Sequence, residues 1–186
     1  MARGARVSLQ PIVLGLLMFQ PRHGYDLFQE FSHGLGQVWE IGQSQLYAQL
    51  KQLEEVGLVT VQTELQTSRP PRKVYRLIPQ GQAAFEKWVY QPTPYLRYIQ
   101  VEFLARLFFF YCLSLPGLEQ RVARQKAVCQ EQVNRFSWLA TGADDSFRRC
   151  VLEFRQGQLE AVIHWLDRCL EVLQGGCHPF LPSRSI

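Results

Sequence analysis

Apolar and polar positions in the first half of the chain follow two periods, first that of helices and then that of strands. Apolar residues predict a first helix over residues 12–19 and a second that begins near Tyr25. Leucines three and four residues apart predict a third helix over residues 43–56, with Leu46, Leu50 and Leu53 on its inner face. This part of the chain is therefore expected to form three amphipathic helices.

Beyond the third helix the pattern changes to alternation. Val59 and Val61 alternate with polar residues, which predicts a strand over residues 58–65, and a second strand is predicted at residues 74–77. A basic turn with two prolines lies between them. Three helices followed by a β-hairpin with a basic tip is the order of a winged helix-turn-helix. The expected fold class is mainly α, with an amino-terminal winged helix-turn-helix, a two-stranded β-wing and a carboxy-terminal helical dimerisation domain.

The second half of the chain shows three long helical patterns after a Pro-rich linker at residues 91–94. The pattern at residues 101–113 is apolar almost all round, and the last, at about residues 146–173, carries two adjacent apolar stripes. A winged-helix domain is expected at residues 1–90 and a helical domain at residues 91–175. Residues 176–186 are expected to be a loose tail.

Two adjacent stripes on one helix are wider than a single neighbouring helix covers, which predicts a homodimer. The residues expected at its interface are Leu104, Leu107, Phe108, Phe154, Val162, Trp165 and Leu166. An alternative is that the aromatic side chains of this half line a pocket for a small aromatic effector. Dimer core is the preferred interpretation.

The outer side of the third helix is short and rich in amides, which suits a major groove because amides hydrogen-bond to base edges. The residues expected to contact DNA from this helix are Gln43, Ser44, Gln45, Tyr47, Ala48 and Lys51. On the wing, Arg69, Arg72 and Lys73 are expected to contact phosphates. A solvated surface helix and a solvated basic loop are the alternatives, and the order of the elements favours DNA.

Composition and charge set only broad limits. The chain of 186 residues is 47% hydrophobic, which describes an ordered protein, and no apolar run approaches the roughly 20 residues that span a bilayer. A cytoplasmic location and no membrane partner are expected. The net charge is +4, with 9 basic and 7 acidic residues in positions 1–90 and 11 and 9 in the remainder. Charge alone therefore does not mark the first half as the nucleic-acid binder.

Catalytic and metal-binding motifs are absent from the sequence. It contains no GxSxG, phosphate-binding loop, HExxH or paired CxxC, so no enzyme, catalytic residue or cofactor is expected. All five cysteines lie in the second half, four at core-facing positions, and free buried thiols are the preferred interpretation over a disulfide or redox pair. Cys169, Cys177 and His178 match no standard metal spacing, so no metal site is expected.

Several segments together resemble the PadR family of bacterial transcription regulators. They are residues 12–17, 21–27, 44–59 and 70–77, followed by Gly81. The likeness covers most of residues 9–90, and it is specific in combining His-Gly-Tyr at 23–25, Leu-Tyr at 46–47 and Leu-Glu-x-x-Gly-Leu at 53–58. The carboxy-terminal half is similar in length and helical character to the longer-tailed branch of that family.

The resemblance implies a homodimeric winged-helix repressor that binds a palindromic DNA operator. It places Ser44, Gln45, Tyr47 and Lys51 on or beside the recognition helix. The chain departs from the family at residues 51–52, where members often carry a basic pair and this one has Lys-Gln. Its phosphate affinity is therefore expected to depend more on the wing. The competing function is a protein-interaction adaptor, a winged helix that has lost DNA binding.

Overall fold

The computed structural model describes residues 8–64, 71–94 and 96–174. Its elements in chain order are α1 Gln10–Leu17, β1 Arg22–His23, α2 Gly24–Leu35, α3 Gln43–Glu55, β2 Val59–Glu64, β3 Arg72–Leu77, α4 Pro79–Val89, α5 Leu96–Tyr98, a π-helical turn Ile99–Phe103, α6 Leu104–Cys112, α7 Leu118–Thr141 and α8 Ser146–Gln174. They divide into two compact units. The first contains the described residues up to 91 together with 100–113, and the second contains 92–99 with those from 114 onward.

A small antiparallel sheet with strand order β1-β3-β2 lies in the first unit. Strands β2 and β3 form the predicted hairpin, in a register that pairs Val59 with Leu77 and Glu64 with Arg72. Strand β1 adds a third strand by pairing Arg22 and His23 with β3, so the sheet is larger than the predicted two-stranded wing. A strand of two residues is too short to show an alternating pattern in the sequence. The mainly α, winged-helix fold class is confirmed.

The core of the first unit forms around α1 and α3. Every residue from 11 to 17 of α1 is buried, and so are Leu46, Leu50 and Leu53 on α3. The inner face of α3 is thus the predicted one. Gly15 allows close packing, because a Cβ atom there would lie 2.7 Å from the Phe85 ring and 2.5 Å from the Phe109 ring.

Helix α6 belongs to this first unit, whereas the sequence assigned residues 101–113 to the carboxy-terminal domain. Phe109 packs edge-on against Phe85 with ring centroids 5.2 Å apart. The buried Arg106 lies 4.6 Å from the centroid of the Trp88 ring and donates a hydrogen bond to the Trp88 carbonyl at 3.2 Å. The Glu102 carboxylate forms an ion pair with the same guanidinium at 3.3 Å. These contacts make α6 part of the first unit's core, so residues 100–113 group with the amino-terminal unit, whose first segment ends at residue 91, close to the predicted boundary.

The second unit is built on α7 and α8, which pack against each other. Ser137 of α7 forms a hydrogen bond with Gln156 of α8 at 3.1 Å, and Lys126 forms an ion pair with Asp167 at 2.6 Å. The earlier residue of α7 thus contacts the later residue of α8. The two helices are therefore antiparallel. Asp145 caps α8, as its carboxylate accepts the backbone N–H of Arg148 at 2.9 Å.

The linker predicted at residues 91–94 is partly fixed to the second unit. The buried amide of Gln125 on α7 bonds both backbone groups of Thr93, accepting its N–H at 2.8 Å and donating to its carbonyl at 2.9 Å. Gln132 donates to the Pro94 carbonyl. The predicted tail, residues 176–186, lies outside the described residues. Within the described part of the chain, no helix combines the length and apolar character that a bilayer crossing needs.

Candidate nucleic-acid interface

The outer side of α3 carries all six of the residues predicted to contact DNA from this helix. Gln43, Ser44, Gln45, Tyr47, Ala48 and Lys51 are all exposed. The helix follows Gly42 in extended conformation and has no acidic residue in its first turn. Its amino-terminal half therefore presents short, uncharged polar side chains to solvent.

The cationic wing residues lie at the start of β3. Arg72 and Lys73 are both exposed, and their positions in the sheet are opposite Glu64 and Thr63 of β2. Arg69, the third wing residue predicted, lies outside the described residues.

A cleft of about 460 Å³ brings the two predicted groups together at Tyr47 of α3 and Arg72 and Lys73 of β3. Its other wall is formed by His23 of β1 and by Tyr25 and Asp26 at the start of α2. Neither His23 nor Tyr25 was predicted to contact DNA, although Tyr25 is 57% exposed beside a glycine at a helix start. The cleft is therefore bordered by two cations and two exposed tyrosines.

Gly24 fixes one wall of this cleft by the absence of its side chain. A Cβ atom at this position would lie 2.7 Å from the Tyr47 ring, closer than side-chain carbons pack. The Tyr47 ring consequently rests on the first turn of α2 while remaining 40% exposed. Tyr47 thus both joins α2 to α3 and borders the cleft.

Acidic side chains lie beside the basic residues of the interface. Lys73 pairs with Glu54 at 3.7 Å, and Lys51 pairs with Glu55 at 3.7 Å. Exposed pairs of this kind contribute only about 0–1 kcal/mol, so a DNA phosphate can compete for either lysine. Burial raises the pKa of Tyr75, which lines the cleft, and the nearby Glu54 carboxylate adds to that shift. Glu54 therefore places a negative charge beside Lys73 of the wing.

A further ion pair joins β1 to α2. Arg22 of β1 and Glu30 of α2 lie 2.9 Å apart, with the Glu30 side chain only 10% exposed. Burial raises the pKa of Glu30, the Arg22 guanidinium opposes that shift, and Asp26 adds to it. His23 Nε2 lies 3.6 Å from Glu64 at the far end of β2. These contacts position the residues at the start of α2 relative to the wing.

The residues predicted for the dimer interface have different environments. Phe154 and Trp165 are exposed, and Leu104, Phe108 and Val162 are half-buried. Leu107 and Leu166 are buried within their own chain and offer little surface to a partner. Exposed residues also recur along one side of α8, which we call the outer α8 stripe. It consists of Phe147, Cys150, Phe154, Gly157, Ala161, Trp165, Arg168 and Val172.

Neither the cysteines nor other potential metal ligands among the described residues form a further site. Cys112, Cys129 and Cys169 are buried free thiols, whereas Cys150 is exposed. Burial raises the pKa of all three buried thiols, that of Cys112 to about 12. Cys177 lies outside the described residues. Among the residues that the structure describes, no His, Cys, Asp and Glu side chains are grouped so as to hold a metal ion.

The helices, the hairpin and this surface together define a winged-helix protein. Residues 13–87 match the Transcriptional regulator PadR-like family, and residues 99–174 match Virulence activator alpha C-term. The amino-terminal domain thus matches the family that the sequence was predicted to resemble. The family and the relatives are transcriptional regulators and not enzymes.

Two curated relatives are similar over part of the chain. The Negative transcriptional regulator PadR of Bacillus subtilis (strain 168) is 33% identical over 106 residues, which are 57% of this chain and 58% of the relative. A protein of Mycobacterium tuberculosis, described as a probable transcriptional regulator, is 31% identical over 86 residues, 46% of each chain. The chain thus spans about half the length of these curated relatives.

Solved structures of Bacillus subtilis PadR are similar along more of the chain. The crystal structure in complex with operator DNA is 23% identical with a TM-score of 0.47, covering 91% of this chain and 99% of that one. The complex with p-coumaric acid is 23% identical with a TM-score of 0.41, covering 89% and 98%.

Proposed function

We propose that this protein is a sequence-specific DNA-binding transcriptional regulator, that it acts as a repressor, and that it binds a palindromic operator as a homodimer. The observation that carries the proposal is the single cleft bordered by Tyr47 of α3 and by Arg72 and Lys73 of the wing. The relative that is 33% identical is a negative transcriptional regulator, which supports repression. A regulator of this kind acts on the chromosome, so the proposal includes a cytoplasmic location.

In the proposed complex α3 enters the major groove and the wing lies along the neighbouring backbone. The buried leucines fix which side of α3 faces outward, and that side carries amides and a methyl group instead of acids in its first two turns. Arg72, Lys73 and the predicted Arg69 would bind phosphates, which supplies affinity without sequence preference. Winged helices place their elements on DNA in this way.

The outer α8 stripe supports the homodimer. Phe147, Phe154 and Trp165 keep 76%, 65% and 36% of their surfaces exposed in the single chain. Aromatic side chains aligned along one helix face favour burial against another protein surface. A two-fold dimer would present two α3 helices to successive major grooves, about 34–36 Å apart on a palindromic site.

A mobility-shift titration at several salt concentrations tests DNA binding, with Arg72→Ala/Lys73→Ala as the variant. Each phosphate contact contributes about 0.9 to the slope of log affinity against log salt, so losing two contacts should reduce the slope by roughly 1.8 per protomer. Lys87→Ala removes an exposed cation from α4 and serves as the control, for which no change of slope is expected. An unchanged slope in the double variant contradicts wing–phosphate contact.

The same titration separates the competing function. A protein-interaction adaptor would show no steep loss of DNA affinity as salt rises, at any sequence. Sedimentation equilibrium of the wild-type protein tests the homodimer independently. Strictly monomeric protein at all concentrations would exclude a two-fold complex with a palindrome.

The proposal also includes a small aromatic effector. The aromatic rings of α6 mainly pack within the first unit, for example Tyr90 with Phe110 at 5.4 Å between centroids. An effector therefore has to bind a surface site or displace a packed ring. Thermal-shift measurements with a panel of phenolic acids test this, since a ligand of the folded state raises the melting temperature.

A further inference from the structure

The exposed side chains of α3 indicate which bases this helix can contact. Gln45, Ala48 and Gln52 are exposed and lie three and four residues apart, so they form one row along the helix. The row spans about 10 Å at the helical rise of about 1.5 Å per residue, which corresponds to roughly three base pairs. Its chemistry is two amides with a methyl between them.

Arginine is missing from this helix. The range Gln43–Glu55 contains one cation, Lys51, and that side chain pairs with Glu55 at 3.7 Å. Arginine or lysine bound to the O6 and N7 atoms of guanine is the commonest specific contact in a major groove. Helix α3 lacks the guanidinium that would make it, and its only ammonium has an acidic neighbour.

The two ends of the row differ in how free their amides are. Gln49 Nε2 donates a hydrogen bond to Gln52 Oε1 at 3.3 Å, which ties the distal glutamine to its neighbour. The amide of Gln45 bonds no other side chain within the described residues. Gln45 also lies in the first turn, the part of a recognition helix that reaches base edges. A free amide there can donate to adenine N7 while accepting from adenine N6.

We propose that α3 reads A·T base pairs: the Gln45 amide binds an adenine, and the Ala48 methyl packs against a thymine methyl of a neighbouring pair. This inference rests on the proposed function and specifies the operator class. Each half-site would hold an adenine–thymine step under the first two turns of α3, without a guanine contact from this helix.

Selection of bound duplexes from a random library tests the base preference, with wild type, Gln45→Ala, Gln45→Arg and the control Gln82→Ala. Gln82 is an exposed glutamine of α4 that bonds Glu86 at 2.9 Å, away from the row. Wild type and the control should select the same adenine. Gln45→Ala should lose that preference, and Gln45→Arg should replace adenine with guanine.

Modified bases test the contacts atom by atom. Replacing the selected adenine with 7-deazaadenine removes N7, and wild-type affinity should fall by about 5- to 150-fold, the range of a good bidentate contact. Gln45→Ala should show no further loss on the modified duplex. Replacing the neighbouring thymine with uracil removes one methyl, which should weaken wild-type binding by about fourfold.

The possible outcomes separate a failure of this inference from a failure of the proposed function on which it rests. Wild-type protein that binds no duplex at low salt overturns the proposed function. Wild-type protein that binds DNA but selects guanine under α3, or whose adenine preference survives in Gln45→Ala, overturns the A·T reading alone. Circular dichroism checks that each variant is folded. If Gln45→Arg does not fold, the comparison of wild type with Gln45→Ala on the 7-deazaadenine duplex still tests the adenine contact.

Discussion

Replacing Phe154 with alanine tests the proposed homodimer near the centre of the outer α8 stripe. The side chain is 65% exposed in the single chain, and the substitution keeps a good helix former at the position. Because Phe154 contributes little to its own protomer's core, the variant should fold normally. Its effect should appear in association.

The expected size of that effect follows from the exposed area. If a phenylalanine offers about 200 Å² in total, the exposed fraction is about 130 Å². Burying that area contributes about 3 kcal/mol per ring at about 25 cal/mol per Å², and a two-fold interface contains the ring twice. Allowing for partial burial and the remaining alanine methyl, the loss should be about 3–5 kcal/mol per dimer. That corresponds to a rise in the dimer Kd of at least about 100-fold.

Sedimentation equilibrium over a wide concentration range measures this Kd directly. Glu153→Ala changes the adjacent residue of the same helix, exposed but outside the stripe, and should leave the Kd unchanged within a few-fold. If Phe154→Ala dimerises as tightly as wild type, the outer α8 stripe is not the interface. If Glu153→Ala weakens the dimer equally, the effect belongs to α8 as a whole and the area argument is wrong.

Three further predictions concern the cores of the two units. Gly15→Ala should cost about 1–3 kcal/mol in urea unfolding, because its Cβ would lie 2.5 Å from the Phe109 ring; unchanged stability would contradict that packing. Gln125→Leu should lower the free energy of unfolding by about 2 kcal/mol or more in the same measurement, since it removes both buried hydrogen bonds to Thr93. Unchanged stability would show that these two hydrogen bonds are not needed. The pKa of Cys112 is raised by burial from 9.0 to about 12, so the unfolded chain loses this proton first as pH rises. Unfolding free energy should then fall by about 1.4 kcal/mol per pH unit between pH 9.0 and about 12, and Cys112→Ala should remove that part of the slope.

Periodicity predicted the elements of the winged helix because each period selects one face. Leu46, Leu50 and Leu53 repeat at helical spacing and are buried, so the outer side of α3 followed directly from the sequence. Val59 opens the alternating strand and is buried as well. The family resemblance over the same region is confirmed for the same reason: its motifs are residues of this core and its turns.

The placement of α6 could not be predicted, because a helix that is apolar nearly all round does not indicate its neighbours. Only the structure shows that Phe109 meets Gly15 and that Gly34 meets the Phe108 ring. The glycines were a signal, since a glycine within a helix often marks a close approach, but they do not identify the residue that approaches. The strand β1 could not be predicted because its two residues are too few to show an alternating pattern.

Charge at the interface shows a further limit of reasoning from the sequence. Arg72 and Lys73 are neighbours on β3 and were predicted to act alike, but in the structure Lys73 pairs with Glu54, a residue of α3 that lies far from it in sequence. No ion pair joins Arg72 to any other residue that the structure describes. A phosphate bound by Lys73 has to displace the Glu54 carboxylate, whereas one bound by Arg72 has no such ion pair to break, and a guanidinium can bind it through two N–H groups. Arg72 is therefore the stronger candidate for the wing's main phosphate contact, a ranking that depends on tertiary structure and not on residue type.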